Sequence, residues 1–207
     1  YVPRKGTVFV ACDYSTLELC ALSQACLDLF GWSEMANAIN SGMDLHLAMA
    51  ANLLGIPYEE AQAKRKEGDE KVKEARQLSK ALNFGFPGGM GAASFVSFAR
   101  ASYKVEISEQ RAVELKYQWI DTWPEMQEFF RYVGALSQMG NDFTVEQLRT
   151  GRLRGGTNYC AGCTYPFYRF TGDVGFQFLP VVVVRHQRQV FAAGDHFLEQ
   201  VEQVFGV

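Results

Sequence analysis

The sequence predicts a mixed α+β chain in which a helical middle separates two strand-bearing ends. Three observations carry this reading: a β-branched run at Thr7–Cys12, a series of capped amphipathic segments between Ser15 and Met139, and a change to short extended pieces after Met139.

Taken in order, Thr7 to Cys12 (TVFVAC) follows Pro3 and Gly6 and reads as a buried strand, with Asp13 directly at its end. Ser15-Thr16-Leu17-Glu18 has the capping-box pattern and opens a helix through Leu19, Leu22 and Cys26 to about Phe30. A second helix is expected from Met43 to Leu54, stopped by Gly55 and Pro57. Glu59 to Glu74 is highly charged and mixed in sign, the pattern of a solvated helical surface. It leads into a helix from about Val72 to Phe84, which meets Gly85, Pro87, Gly88 and Gly89. Further helices are expected at Ser108–Ile120 and Pro124–Met139. Beyond them, Phe143 to Asn158 holds short extended pieces, Val181 to Val184 is a strand candidate, and Phe197 to Phe205 is a closing helix.

The composition is that of a globular chain: 207 residues, 48% hydrophobic and 21% charged. No apolar run reaches the ~18 residues of a membrane span, and no basic-then-apolar leader opens the chain. A net charge of -3 gives no global argument for nucleic acid, although phosphate contacts need only a few placed Lys and Arg. Five cysteines, an odd number, argue against a disulfide framework and for a reducing compartment. Cys160-Ala-Gly-Cys163 has CxxC spacing but no second pair, so it reads as two thiols rather than a zinc site. The first residue is Tyr1, so the chain is expected to be a piece of something longer.

Two constellations carry chemistry. Asp13, just past a strand and beside a helix start, has the position of a magnesium-binding carboxylate and equally that of an N-cap. Glu18 is explained by the capping box alone. The second constellation is Arg76, Lys80, Phe84 and Gly88, whose spacing of four puts consecutive members on one helical face, ~6 Å apart along the axis. Two cations so spaced can grip successive phosphates, and the aromatic can pack on a sugar or base. A surface helix with two unrelated basic residues and one core Phe has the same pattern.

Together these motifs resemble the family A DNA polymerases, bacterial polymerase I and its phage relatives. Asp13-Tyr-Ser-Thr-Leu-Glu18-Leu matches the family's DYSxxEL, and Arg76-Gln-Leu-Ser-Lys80-Ala-Leu-Asn83-Phe84-Gly85 its R-x3-K-x2-NFG. Asp44-Leu45-His46 resembles the D-[IL]-H element, Thr122-Trp123-Pro124 the aromatic-Pro turn, and Thr150-Gly-Arg152-Leu-Arg154-Gly-Gly156 the phage-type TGRxRGG segment.

The resemblance implies an incomplete right hand. Residues 1–30 would begin an antiparallel palm, 31–125 form inserted helical fingers, and 126–207 return to the palm with 168–207 diverged. It implies a DNA-templated DNA polymerase acting on a dNTP and a DNA primer-template. Such an enzyme works away from membranes, in the bacterial cytoplasm or a phage-infected cell. Thumb or exonuclease regions would belong to a longer polypeptide. By position, Asp13 and the Tyr14 carbonyl would hold two Mg²⁺ ions, Glu18 would pack under the incoming sugar, and His46, Arg76 and Lys80 would contact the triphosphate. Phe84 would pack on sugar and base, and Arg152 and Arg154 would meet DNA.

Departures bear on activity. Thr16 and Cys20 replace the usual polar and basic residues of the first motif, and Gly88 stands where the family carries a Tyr beside the templating base. Thr164 and Tyr168 occupy the places of an Asn-x-x-x-Gln pair, and Gln187-Arg188 stand where a His-Asp-Glu carboxylate is expected, so the second metal carboxylate is not identified. A changed reading frame or a joined segment near Phe167 accounts for the abrupt loss, as does a degenerate relative. Either way the chain alone is expected to extend primers poorly.

Overall fold

The structure, a computed structural model, describes residues 16–138 and 142–167. Asp13, Tyr14, the Thr7–Cys12 strand, Tyr168, Val181–Val184, Gln187 and the closing helix lie outside the described residues. From Glu18 to Phe167 the described chain forms one compact unit, mostly helical, with one small antiparallel sheet.

The first helix, α1 (Leu17–Phe30), buries Leu19, Leu22, Ala25 and Cys26, the stripe expected from their spacing. The helix opens at Leu17 after Thr16 at φ 53°, with Glu18 as its second residue, and Ser15, the expected cap, lies outside the described residues. A short helix not expected from the sequence, α2 (Glu34–Asn40), follows under the N-cap of Ser33, whose hydroxyl accepts from the Ala36 N–H.

Next comes α3 (Leu45–Leu54), capped by Asp44 and ended by Gly55 at φ 65°. The charged stretch Glu59–Glu74 is helical as expected but is divided between two helices, the first being α4 (Tyr58–Glu67). Gly68 at φ 82° ends it, and Asp69 starts α5 (Glu70–Gly85) by accepting from the Val72 N–H. A 3₁₀ turn over Phe86–Gly88 leads to α6 (Ala92–Phe98), which passes into a π turn at Ala99–Tyr103. Then α7 (Glu109–Thr122) is capped by Ser108, and the Trp123-Pro124 turn delivers α8 (Glu125–Ser137). Strands β1 (Phe143–Glu146) and β2 (Leu153–Thr157) pair antiparallel, with Val145 opposite Arg154 and an irregularity between Phe143 and Val145. Residues 159–167 are helical (α9).

The α+β expectation is thus met by a hairpin alone among the described residues. The rest is a helical core around Trp119, Phe86, Phe95 and Phe129, all without solvent exposure. Phe86 stacks on Phe95 with centroids 4.3 Å apart and meets Trp119 at 5.7 Å. A buried polar bridge crosses this core. Glu125, fully buried at the start of α8, accepts from the Ser33 hydroxyl at 2.7 Å and the Met35 N–H at 2.9 Å, and so closes the N-terminus of α2. Arg149, in the hairpin turn, forks onto Asp28 of α1 at 2.8 and 2.9 Å. No helix among the described residues is long and apolar enough to cross a membrane.

The glycine of the Asn83-Phe84-Gly85 run is fixed by packing. A β-carbon at Gly85 would lie 2.9 Å from Phe95 Cδ2 and 3.1 Å from Phe98 Cδ1, and Phe95 is pinned by its stack on Phe86. Gly85→Ala gains up to ~1 kcal/mol of helix propensity but overpacks the core at ~1–3 kcal/mol. The overpacking is expected to win, lowering the thermal midpoint by several degrees in a circular-dichroism melt.

Candidate functional site

The residues singled out on α3 and α5 come together around one carboxylate. Asp44 uses Oδ1 to accept the His46 and Leu47 N–H groups at 2.9 and 3.1 Å, capping α3. Its Oδ2 accepts Arg76 Nη2 at 2.7 Å and Nε at 3.0 Å, and Arg65 Nη1 at 2.8 Å. The Tyr58 hydroxyl accepts from the Asp44 N–H at 2.9 Å. Burial works to raise the Asp44 pKa, but hydrogen bonds and charge from Arg76, the Leu47 N–H and the His46 field outweigh it, leaving the carboxyl below its ordinary value.

Arg76 is therefore an ion-pair partner as well as a candidate phosphate ligand. Its bonds to Asp44 engage Nε and Nη2 and, among the described residues, leave Nη1 without a hydrogen bond. Lys80, one turn further along α5, is half-buried and forms no hydrogen bond or ion pair with the described residues. Phe84, another turn on, lies 5.3 Å from the His46 ring at a tilt of 48°. His46 itself is buried, 5% exposed, with Nδ1 3.1 Å from Asn83 Nδ2. Burial holds its pKa down at about 4. The Asp44 charge opposes this, while the charges of Arg76 and Lys80 reinforce it. His46, Arg76, Lys80 and Phe84 thus share one neighbourhood, with an imidazole that is neutral at pH 7.

Below them sits a residue that the sequence marked only as part of a motif. Asn83 is fully buried and bonded to Leu45 and His46 on α3 and to the indole N–H groups of Trp119 and Trp123 on α7 and its cap. The two tryptophans, four residues apart on one helical face, were the signal available in the sequence for such a partner.

The other candidates lie elsewhere. Glu18 is half-buried on α1. Arg152 and Arg154 are exposed at the hairpin, with the Arg154 guanidinium 5.9 Å from the Tyr165 ring centroid. Gly88 lies beside α9, where an added β-carbon would sit 3.4 Å from Thr164 Cγ2. Cys160 donates to the Gly89 carbonyl at 3.8 Å, and burial pushes the Cys163 thiol up to about 12. A β-carbon at Gly89 would come within 2.8 Å of Cys163 Sγ, so this glycine, at φ 75°, is held by α9 as well as by its turn.

This helical fold is similar to the POL domain of Pol1 from M. smegmatis, a structure solved in complex with DNA primer-template and dNTP. The likeness has a TM-score of 0.53 at 20% identity and covers 74% of this chain and 25% of that one. The fold is thus that of part of a polymerase domain. Residues 1–153 match the model of DNA polymerase family A, and the chain belongs to that family. It is 29% identical over 154 residues to DNA polymerase I of Aquifex aeolicus (strain VF5), covering 74% of this chain and 23% of that protein. It is 30% identical over 139 residues to DNA polymerase I of Pseudomonas aeruginosa, covering 67% of this chain and 12% of the relative. The chain spans a quarter or less of the length of these relatives.

The neutral imidazole has a measurable consequence. The unfolded His46 titrates near 6.5 and the folded one near 4, so between these values the unfolded state binds more protons. Folding stability is therefore expected to fall as pH drops from about 6.5 to about 4, at up to ~1.4 kcal/mol per pH unit from this residue. Urea unfolding across that window should show the slope, and His46→Gln should flatten it.

Proposed function

We propose that the chain is part of a DNA-directed DNA polymerase in which α3 and α5 hold the incoming dNTP. The observation that carries this is the convergence of His46 from α3 with Arg76, Lys80 and Phe84 from one face of α5. Arg76 and Lys80 supply positive charge one helical turn apart, ~6 Å along the axis, within reach of a single triphosphate for two long side chains. Arg76 keeps Nη1 for the ligand while Asp44 fixes the plane of its guanidinium, so the fork is oriented before phosphate arrives. His46 offers a directional hydrogen bond, and half-buried Phe84 offers an aromatic face to sugar or base.

In this reading 31–125 are fingers, 1–30 and 126–207 belong to the palm, and Glu18 packs under the sugar. Exposed Arg152 and Arg154 on the hairpin would meet the phosphate backbone of a primer-template. The reaction is transfer of a nucleotidyl group from dNTP to a primer 3′-hydroxyl with release of pyrophosphate, set in the cytoplasm where both substrates occur. Among the described residues no group of three His, Cys, Asp or Glu side chains is placed to hold a metal. The magnesium that such a transfer uses would rest on Asp13 and the Tyr14 carbonyl, with the second carboxylate unidentified.

Lys80→Ala is expected to raise the dissociation constant for a dNTP about tenfold or more, because a charge-assisted phosphate contact contributes ~1.5–3 kcal/mol. Isothermal titration of the folded variant checks it, and an unchanged constant would remove Lys80 from the site. On a primed template the 207-residue chain should extend poorly. Robust extension would contradict the single-carboxylate reading, and Asp173→Asn and Asp195→Asn, at the two aspartates that follow Phe167 in the sequence and lie outside the described residues, would then locate the missing ligand.

A further inference from the structure

Asn83 is a buried amide whose orientation is decided by its partners. Its Oδ1 receives the indole N–H of Trp119 at 2.9 Å and that of Trp123 at 3.2 Å. An indole nitrogen can only donate, so the atom between the two rings has to be the carbonyl oxygen. On the other side Nδ2 donates to the Leu45 carbonyl at 3.3 Å, a group that can only accept. A flipped amide would set N–H against both indoles and oxygen against oxygen at Leu45, in a place where none of the four residues has solvent to turn to.

With the amide fixed, its second N–H meets His46 Nδ1 at 3.1 Å. A nitrogen facing a donor has to be the unprotonated one. That excludes the Nδ1–H tautomer and the imidazolium together, and leaves the ring's proton on Nε2.

We propose that Asn83, aimed by Trp119 and Trp123, is the positioning residue that holds His46 as the neutral Nε2–H tautomer, so that the ring presents a directional donor to a nucleotide phosphate. The phosphate end of this statement rests on the proposed dNTP site, whereas the tautomer rests on the amide alone. The division of labour is physical. Arg76 and Lys80 bring charge, whereas His46 brings a hydrogen bond of defined direction. Burial, with Arg76 and Lys80 nearby, acts against a charged ring, and Asp44 acts for it. Because a mistuned tautomer turns a donor into a lone pair facing phosphate oxygen, the relay acts on binding without Asn83 touching the ligand.

The test is ring-nitrogen NMR on the full chain labelled with ¹⁵N-histidine at pH 7, the His46 signals being those lost in His46→Gln. One pyridine-type Nδ1 and one pyrrole-type Nε2 are expected. The reversed pattern, or two pyrrole-type nitrogens, overturns the proposal in the wild-type chain alone. In Asn83→Asp the carboxylate can only accept, so the protonated nitrogen should become Nδ1, and dNTP binding should weaken about tenfold. Where that buried carboxylate prevents folding, the double variant Trp119→Phe/Trp123→Phe keeps two rings but leaves only the long Leu45 bond, 3.3 Å, to orient the amide, and the His46 shifts should move part of the way toward a tautomer average. Retention of the wild-type shifts in either folded variant overturns the relay, as does unaltered dNTP affinity in a variant whose tautomer has changed. Failure of the nucleotide site itself is read separately, from Lys80→Ala, which leaves every bond of Asn83 in place.

Discussion

The carboxylate of Asp44 is the constraint on which the described unit depends. One oxygen closes the N-terminus of α3, and the other is shared by Arg76 of α5 and Arg65 of α4. Three helices thereby meet at a single charge. Removing it would leave two guanidinium groups and two helix N–H groups facing each other, so its loss should act on fold and site together. Its chemistry also sets the electrostatics. Arg65, Arg76 and Lys80 against Asp44 give three cations and one carboxylate, a net charge of +2 in a chain whose total is -3. Local placement, rather than global charge, is what makes an anionic ligand plausible here.

Buried polar groups carry the long-range order around this point. Asn83 joins α5 to α3 and α7, and Glu125 joins α8 to α2, each inside an otherwise apolar core. Asn83, with a partner for its oxygen and for its nitrogen, selects one arrangement of helices where leucine and phenylalanine alone would allow several, whereas Glu125 keeps one buried oxygen, Oε2, without a hydrogen bond among the described residues. The glycines at 85 and 89 serve the same end by a different route, letting aromatic rings and a thiol approach the backbone more closely than a β-carbon permits.

Much of this was legible in the sequence. The apolar stripe Leu19, Leu22 and Cys26 gave α1, Gly55 ended α3, Ser108 started α7, and the Trp123-Pro124 turn separated α7 from α8. The paired motifs gave the family and brought His46 and the α5 residues into one list. Other features were hidden for physical reasons. The Gly68-Asp69 break carried both a helix stop and a helix start, yet lay inside a charge run that masked the apolar period. Seven-residue α2 and α6 are too short to show periodicity, and their stability comes from packing. Nothing local could show that Glu125 is fully buried, or that Asn83 meets tryptophans 36 and 40 residues away.

A dNTP held by α3 and α5 together, as proposed, should perturb side chains on both helices. NMR of side-chain nitrogens in Arg, Lys and His, recorded as a dNTP is titrated into the labelled chain, tests it most directly. Shifts should concentrate at Arg76, Lys80 and His46, with Arg65 following through Asp44 and the hairpin arginines unmoved. Shifts confined to Arg152 and Arg154, with the α3–α5 signals unchanged at saturation, would contradict it.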